Sequence, residues 1–262
     1  MVYVRLYLLI LKQSFIRESQ YPGQFWSSFL GWLAELAIRI GFFGAVYLSG
    51  VISVSGWSLP EIIFLQAVAS LVAGIWSFFF GSNIGSIPRL VQNGRLDQLL
   101  LMPLDAQFYM SFRRSNMSSL LSSLTTLPVF LWCVPRLSAA LTLELTLRFL
   151  VLVICGVCVY YVLSFLPSLL SFWILNPTAI QFLSYEILGY ANYPNDIYQS
   201  VLRHVLTYAF PLLLIANEAA AEIIGHSRVI GLLPTLLVSG SGLVATRVCY
   251  KAGLRKYTGA SV

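Results

Sequence analysis

GSNIGSIPRLVQNGRLDQLLLMPL, residues 81–104, is a short basic stretch between two long apolar runs. It carries Arg89 and Arg95, together with two residues that interrupt helices, Pro88 and Gly94. The apolar runs on both sides are long enough to cross a bilayer, which takes about 20 residues. Arginines concentrate on the cytoplasmic side of membranes. The stretch therefore predicts a cytoplasmic loop between two membrane-spanning helices.

The composition of the whole chain indicates an integral membrane protein. Of its 262 residues, 58% are hydrophobic and only 10% are charged, and the mean hydropathy is +0.81. Soluble domains carry about 25% charged residues. The net charge of +6 is expected from basic cytoplasmic loops, so it does not indicate nucleic-acid binding. We predict an all-α integral membrane protein that binds no nucleic acid.

Hydropathy and helix-breaking residues divide this single transmembrane domain, residues 1–262, into six predicted spans. The spans are residues 25–51, 60–80, 104–134, 143–165, 168–188 and 229–250. The remaining predicted segments are an interfacial helix within residues 1–24, the cytoplasmic loop 83–103 and an external re-entrant segment 189–228. This arrangement places eleven Lys and Arg residues inside and four outside, with Arg39 within the first span. The bias predicts that both termini are cytoplasmic.

Residues 2–20 have the pattern of an amphipathic helix. One side carries Arg5, Lys12 and Ser19, which recur every seven residues. Much of the other side is apolar: Val2, Leu6, Leu9 and Phe15 or Ile16. Such a helix lies in the membrane interface. The alternative is a cationic tail that only fixes the orientation of the chain.

The first predicted span contains two charged residues, Glu35 and Arg39. They are four residues apart with the acid first, a spacing at which the two side chains pair on one helix face. Each charge alone near the bilayer centre costs about 3 kcal/mol. We expect the pair to face a helix bundle or a polar cavity, either as a structural ion pair or as part of a substrate path.

The chain also carries signals for helix starts and breaks. Ser58 followed by Glu61 is the pattern of a capping box, which predicts a helix start at the second span. Pro167 is expected to mark an inside turn, and Asn176 and Pro177 to break the fifth span.

The segment 189–228 is too apolar for a free loop and too polar for a simple span. It contains two prolines, Pro194 and Pro211, among charged residues and apolar clusters. Two short half-helices that dip into the outer leaflet and meet near Pro211 fit both features.

The sequence contains no recognisable catalytic or metal-binding motif. No lysine follows a glycine, so the chain lacks the Walker A loop of an ATPase. Cys155 and Cys158 form a C-x-x-C pair, but their apolar surroundings favour packing over redox or metal chemistry. His204 and His226 could form a proton relay, although hydrogen bonding at a membrane interface is the simpler interpretation. We predict no catalytic residue, no metal site and no cofactor bound by this chain.

Four stretches in order resemble the membrane subunits of ATP-binding-cassette (ABC) type-2 exporters, within them the six-span family formerly of unknown function. The stretches are SGWSLPE at 55–61, IPRLVQNGRLDQLLLMPL at 87–104, YPNDIYQSVLRHVLTYAFP at 193–211 and LRKYTGA at 254–260. Together they extend over nearly the whole chain.

The resemblance implies that residues 91–101 form a coupling helix that docks in a groove of a cytoplasmic ABC ATPase, with added contact from the N-terminal helix. The candidate ATPase-contact residues are Arg89, Asn93, Gly94, Arg95, Leu96, Asp97 and Gln98. Leu96, Leu99 and Leu100 are expected to anchor the helix to the membrane domain. Two ATPase copies would bind ATP and Mg, and a second permease, identical or related, would complete the complex.

The resemblance also implies a substrate path between the two permeases, lined mainly by the first, second and fifth spans. Pro194 and Pro211 would belong to an outer gate. Because the spans are aromatic and poor in charge, a hydrophobic or amphiphilic cargo leaving the inner leaflet is expected. The alternative for these aromatic residues is simple contact with membrane lipid. A bacterial plasma membrane is the simplest location, although a thylakoid membrane fits equally.

Two other classes of function differ in what they require of the sequence. An ion-coupled secondary transporter or channel would use four charged residues as coupling groups: Glu35, Arg39, Glu186 and Glu218. A membrane-embedded enzyme would need a cluster of catalytic acids, histidines or metal ligands, which the sequence does not contain.

Overall fold

The computed structural model describes residues 2–137, 142–174, 178–225 and 229–257. These residues are 82% helical and contain no β-strand. Five helical stretches are long and apolar enough to cross a membrane: Pro22–Leu48, Leu59–Gln92, Met117–Arg136, Leu143–Phe172 and Leu232–Lys256. The predicted all-α membrane architecture is confirmed to this extent, while the sixth span is not.

The described residues form fourteen α-helices, some of which join end to end. They are α1 Val2–Gln20, α2 Pro22–Leu48, α3 Leu59–Trp76, α4 Ser82–Ile84, α5 Ile87–Gln92, α6 Leu96–Leu100, α7 Ala106–Phe112, α8 Met117–Leu124, α9 Thr126–Cys133, α10 Leu143–Leu169, α11 Thr178–Leu188, α12 Ser200–His204, α13 Asn217–Ile224 and α14 Leu232–Lys256.

Helix α3 is the centre of the fold. It starts as the sequence predicts, because Ser58 and Glu61 form the capping box and the Ser58 N–H donates to Glu61 Oε2 at 2.6 Å. Its side chains are buried around most of the helix, and it packs against α2, α8, α9, α10 and α13. A helix that is apolar on all sides is stable when other helices enclose it.

The second and third predicted spans have different bounds in the structure. Helix α3 continues through a π-helical turn, Ser77–Gly81, so the candidate span extends to Gln92 instead of residue 80. The third candidate span starts at Met117 instead of residue 104. Asn83 stabilises the break between α7 and α8. Its side chain donates to the carbonyl oxygens of Ser111 and Arg114 at 2.9 and 2.7 Å, so carbonyls at the end of α7 have partners without a continuous helix.

The prediction of an inside turn at Pro167 is wrong, because Pro167 lies inside α10, which extends to Leu169. A 3₁₀ turn, Leu170–Phe172, follows the helix. Within the predicted fifth span, α11 then has 11 residues. At about 1.5 Å per residue it is roughly half as long as the hydrocarbon core is thick. The predicted break at Asn176 and Pro177 lies outside the described residues.

The predicted re-entrant segment forms two helical pieces that meet at Pro211. The first is α12 and its continuation Val205–Ala209, which is largely exposed. The second consists of Leu212–Leu214 and α13, and it is almost completely buried. Its position against α10 requires Gly156, because a Cβ atom there would lie 2.1 Å from the Ile215 carbonyl oxygen. His226 and Arg228 lie outside the described residues.

Candidate transport cavity and coupling elements

A cavity of about 500 Å³ lies between α2, α3 and α11, which belong to the first, second and fifth predicted spans. We name it the Arg39 cavity. It is lined by Ile38, Arg39, Phe42, Phe43, Gln66, Glu186, Gly189, Tyr190, Asn192 and Tyr193. The cavity therefore brings charged, amide and aromatic groups together among helices that are otherwise apolar.

Arg39 contacts partners on two helices. Its Nη2 lies 3.4 Å from Glu35 Oε1 on α2 and donates a hydrogen bond to Ser70 Oγ on α3 at 3.0 Å. The Arg39 side chain is 18% exposed and that of Glu35 is 59% exposed. The contact expected from the spacing of Glu35 and Arg39 is present, and Ser70 adds a link between α2 and α3. A role of the pair in a substrate path stays a prediction.

Gln66 connects α3 to the segment that follows α11. Its side chain is fully buried, and its Nε2 donates to the Asn192 carbonyl at 2.6 Å. Next to this bond, the rings of Phe43 and Tyr193 meet edge to face with centroids 6.3 Å apart. Sequence reasoning did not single out Gln66. An amide within the second span was the available signal, because a buried amide requires partners.

The structure separates the acids that the ion-coupled alternative requires. Glu186 lines the Arg39 cavity and is exposed. Glu218 is 1% exposed and accepts hydrogen bonds from the N–H groups of Ile230 and Gly231, at 3.1 and 2.7 Å. These groups lie at the start of α14, where a carboxylate stabilises a helix. Glu218 therefore holds α13 to α14 and does not belong to the cavity.

The stretch predicted to be the cytoplasmic loop, residues 83–103, contains two short helices, α5 and α6. Gly94 lies between them with φ at +65°, a conformation that favours glycine. Leu90, Leu96 and Leu99 point into the protein, with 7%, 0% and 8% of their surface exposed. Exposed polar residues cover the other side of the loop: Arg89, Asn93, Arg95 and Gln98.

Two expectations for this loop need correction. Leu96 was expected both to contact the ATPase and to anchor the helix. Its side chain is fully buried, so in this conformation it anchors α6 and cannot contact an ATPase. Leu100 is 41% exposed and is not an anchor. Helical spacing alone places Leu96, Leu99 and Leu100 on one face, so the exposure of Leu100, the last residue of α6, does not follow from that spacing. No observation tests the ATPase contact of the other candidate residues.

Asp105 connects the predicted cytoplasmic loop to the last long helix, α14. Its Oδ1 accepts hydrogen bonds from the Phe108 N–H at 2.9 Å, which caps α7, and from Arg247 Nη1 at 3.1 Å. Its own N–H donates to the Tyr3 hydroxyl of α1 at 3.4 Å. Partial burial favours the neutral acid, but the bonds from Arg247 and Phe108 outweigh it, so the pKa of Asp105 lies below its ordinary value.

Sequence reasoning missed Asp105. The available signal was Arg247, a cation in the last span, which requires a partner there.

The N-terminal helix contacts the protein through a polar stripe that the sequence prediction did not contain. Tyr7 Oη lies 3.2 Å from Ser115 Oγ, and the Ser115 N–H donates to Ser14 Oγ at 3.1 Å. Glu18 accepts from the N–H groups of Met117 and Ser118 at 2.9 and 3.2 Å, at the start of α8. Exposed apolar residues lie elsewhere on α1: Val4, Leu8, Leu9, Phe15 and Ile16.

The two prolines of the expected outer gate differ in their surroundings, because Pro194 is buried and Pro211 is half-buried. Pro194 precedes a 3₁₀ turn, Asn195–Ile197, whose first N–H donates to Asn217 Oδ1 at 2.9 Å. Asn217 is fully buried, so the turn is fixed to α13. Pro211 joins the exposed and buried halves of the segment. The gate itself stays a prediction.

Within the described ranges, no group of three or more His, Cys, Asp or Glu side chains could hold a metal ion. His204 is exposed, and its Nδ1 lies 2.6 Å from the Ser200 carbonyl oxygen. The other histidine of the expected relay is outside the described residues.

Long apolar helices around a cavity with polar groups are the features of a multi-pass membrane transport protein. A family model described as ABC-2 family transporter protein matches residues 33–261. The chain therefore belongs to the ABC-2 transporter family, whose members are generally membrane subunits that pair with ABC ATPases and are not ATPases themselves. Neither curated proteins nor solved structures gave a match.

Proposed function

We propose that this chain is the permease subunit of an ABC exporter that moves a hydrophobic or amphiphilic substrate by alternating access. ATP hydrolysis in a separate cytoplasmic ATPase, present in two copies that bind ATP and Mg, would drive the cycle. The Arg39 cavity carries this proposal, because it lies on the three predicted spans expected to line the path and holds membrane-embedded charge. Charged residues within spans usually mark such paths.

The ATPase contact is proposed at the cytoplasmic loop. Arg89, Asn93, Arg95 and Gln98 are exposed there, while buried leucines fix the loop to the membrane domain. The chain then leads directly to Asp105, which binds Arg247 of α14 and Tyr3 of α1. A displacement of the loop would therefore act on the last long helix and on the N-terminal helix. Networks of hydrogen bonds and ion pairs are one physical means by which coupling between sites is carried.

A second permease, identical or related, is proposed to pack beside the exposed faces of α2 and α11. Only 11% of the span window in α2 is buried within one chain. Glu35, in this helix, is 59% exposed. A second permease with a polar path between the two would cover this acid and avoid the cost of placing it in hydrocarbon. Pro194 and Pro211 would lie near the outer end of that path.

The protein is proposed to reside in a bacterial plasma membrane with both termini in the cytoplasm. The positive-inside bias of the sequence supports this orientation. In this orientation α3 begins at the external side and Gln66, in its first turns, puts the Arg39 cavity in the outer half of the membrane.

Co-purification tests the proposal. The native chain and the double variant Arg95→Ala/Asp97→Ala are purified in mild detergent, and bound proteins are identified by mass spectrometry. We expect a Walker-containing protein with the native chain and a clear loss of it with the variant. The matched control is Arg136→Ala/Glu144→Ala, which removes one base and one acid from the predicted external end and is expected to retain the ATPase.

Transport in vesicles provides the second arm of the test. If the native chain purifies without an ATPase and moves solute in vesicles that lack ATP, the exporter proposal is wrong. Loss of that transport with a gradient-dissipating ionophore would then identify the ion-coupled alternative.

A further inference from the structure

The charges around the Arg39 cavity do not balance. Arg39 is the basic group in the wall, while Glu186 lies in the wall and Glu35 lies beside Arg39. Two carboxylates and one guanidinium leave one net negative charge. The excess negative charge favours cations over anions at this site.

Glu186 is the carboxylate that remains available. The Nη2 atom of Arg39 lies 3.4 Å from Glu35 and donates to Ser70 at 3.0 Å, while the buried Nε of Arg39 has no hydrogen-bond partner among the described residues. In the described part of the chain no ion pair involves Glu186, which is exposed. An acid in this position, within a helix of a membrane protein, costs free energy unless a ligand or partner neutralises it.

The remaining wall of the cavity suits an apolar body. Phe42, Tyr190 and Tyr193 are 58%, 52% and 41% exposed, and all three line the cavity. Aromatic faces attract cations through their quadrupole, and the rings also bury hydrocarbon. One carboxylate beside several rings therefore fits a molecule that carries a positive charge on an apolar frame.

We propose that the Arg39 cavity binds amphiphilic cations, with Glu186 as the counter-ion and the aromatic wall as the apolar contact. This inference rests on the proposed transport function, and it names the class of substrate that this site would accept. An anion of the same shape would meet the excess carboxylate and bind less well. Arg39 acts here as a positioning residue that holds Glu35 and links α2 to α3.

Two ions of the same shape and opposite charge test the proposal. Tetraphenylphosphonium and tetraphenylborate are titrated against the full-length protein in nanodiscs, and binding is followed by calorimetry. We expect tetraphenylphosphonium to bind at least about tenfold more tightly than tetraphenylborate, since one charge interaction of about 1.4 kcal/mol corresponds to that ratio. Equal affinity for the two ions would overturn the proposal.

Variants identify the residue responsible. Glu186→Gln is expected to weaken binding of tetraphenylphosphonium at least tenfold, and Glu186→Asp to retain most of it. Glu144→Gln is the matched control, because it removes an exposed acid of α10 that lies outside the cavity, and it is expected to bind normally. Unchanged binding by Glu186→Gln, or an equal loss in the control, would contradict the assignment.

The two proposals fail in different ways. Absence of an ATPase in the co-purification experiment counts against the exporter and leaves the binding result standing. An ATPase that co-purifies, together with no preference for the cation, counts against the cation site alone.

Discussion

Helices α2 and α3 are both long and apolar, yet they occupy opposite kinds of environment. The mean hydropathy of their span windows is similar, 1.6 and 2.0, but 11% of the window is buried for the first and 78% for the second. Helix α3 is enclosed by five other helices, whereas α2 leaves most of its surface open. Hydropathy thus identifies a membrane helix without telling whether it is scaffold or contact surface.

The difference assigns separate tasks to the two helices. The scaffold of α3, α10 and α13 is closely packed, so changes there should destabilise the fold. The open face of α2 carries Glu35 beside the Arg39 cavity, so changes there should leave the fold nearly intact. Four substitutions, ordered by expected effect, test this division.

Gly156→Ala should have the largest effect. The new Cβ would lie 2.1 Å from the Ile215 carbonyl oxygen, a backbone atom that cannot turn aside as the end of a flexible side chain could. Such overpacking is expected to cost about 3 kcal/mol or more of the free energy of unfolding. Thermal unfolding in detergent measures it. Gly240→Ala is the control, because nothing lies within 4 Å of its added Cβ, and an equal loss there would contradict the account.

Glu218→Ala should have the next largest effect. The change removes the acceptor of the Ile230 and Gly231 N–H groups, and a buried donor without a partner costs about 1–3 kcal/mol. We expect a loss of about 2 kcal/mol in the free energy of unfolding, with a smaller loss for Glu218→Gln, which keeps one acceptor oxygen. A transport defect without loss of stability would instead favour a coupling role for this acid.

Asp105→Asn should cost about 1 kcal/mol or less near neutral pH, because the pair with Arg247 is partly exposed. The pKa of Asp105 is lowered in the folded protein. The ion pair therefore contributes stability above the ordinary carboxyl pKa of about 4, and this contribution is lost as the pH falls through the lowered value.

The pH dependence checks this assignment. The difference in melting temperature between native protein and Asp105→Asn should shrink between pH 7 and pH 3. A difference that does not depend on pH would show that the carboxylate charge is unimportant. Asp105→Ala serves as comparison, since it also removes the cap of α7.

Glu35→Gln should have the smallest effect on stability. The Glu35 side chain is 59% exposed, and exposed ion pairs contribute about 0–1 kcal/mol. We expect a shift in melting temperature close to the error of measurement, together with a measurable change in ligand binding by the Arg39 cavity. A loss as large as that of Glu218→Ala would show that α2 belongs to the scaffold.

Features that depend on neighbouring residues were predictable from the sequence. The capping box of Ser58 and Glu61 and the contact of Glu35 with Arg39 involve residues three or four positions apart, and both contacts are present. The all-helical membrane architecture follows in the same way from local hydropathy. These predictions need no knowledge of how the helices pack.

Features that depend on distant residues were not predictable in this way. Asp105 meets Arg247 across 142 positions, and Glu18 meets Met117 across 99. The late start of the third span also depends on a distant side chain, that of Asn83. Pro167 misled the prediction because a proline can remain inside a membrane helix when its surroundings satisfy the freed carbonyl.

The polar stripe of α1 sets an order of events during biosynthesis. Its partners, Asp105 and Ser115 to Ser118, leave the ribosome about 100 residues after the helix itself. At about 5–20 residues per second, the helix waits roughly 5–20 s before its hydrogen bonds can form. If the helix is interfacial, as the sequence predicts, its apolar side rests on the membrane surface during this interval. The N-terminal helix is thus made first and docked late.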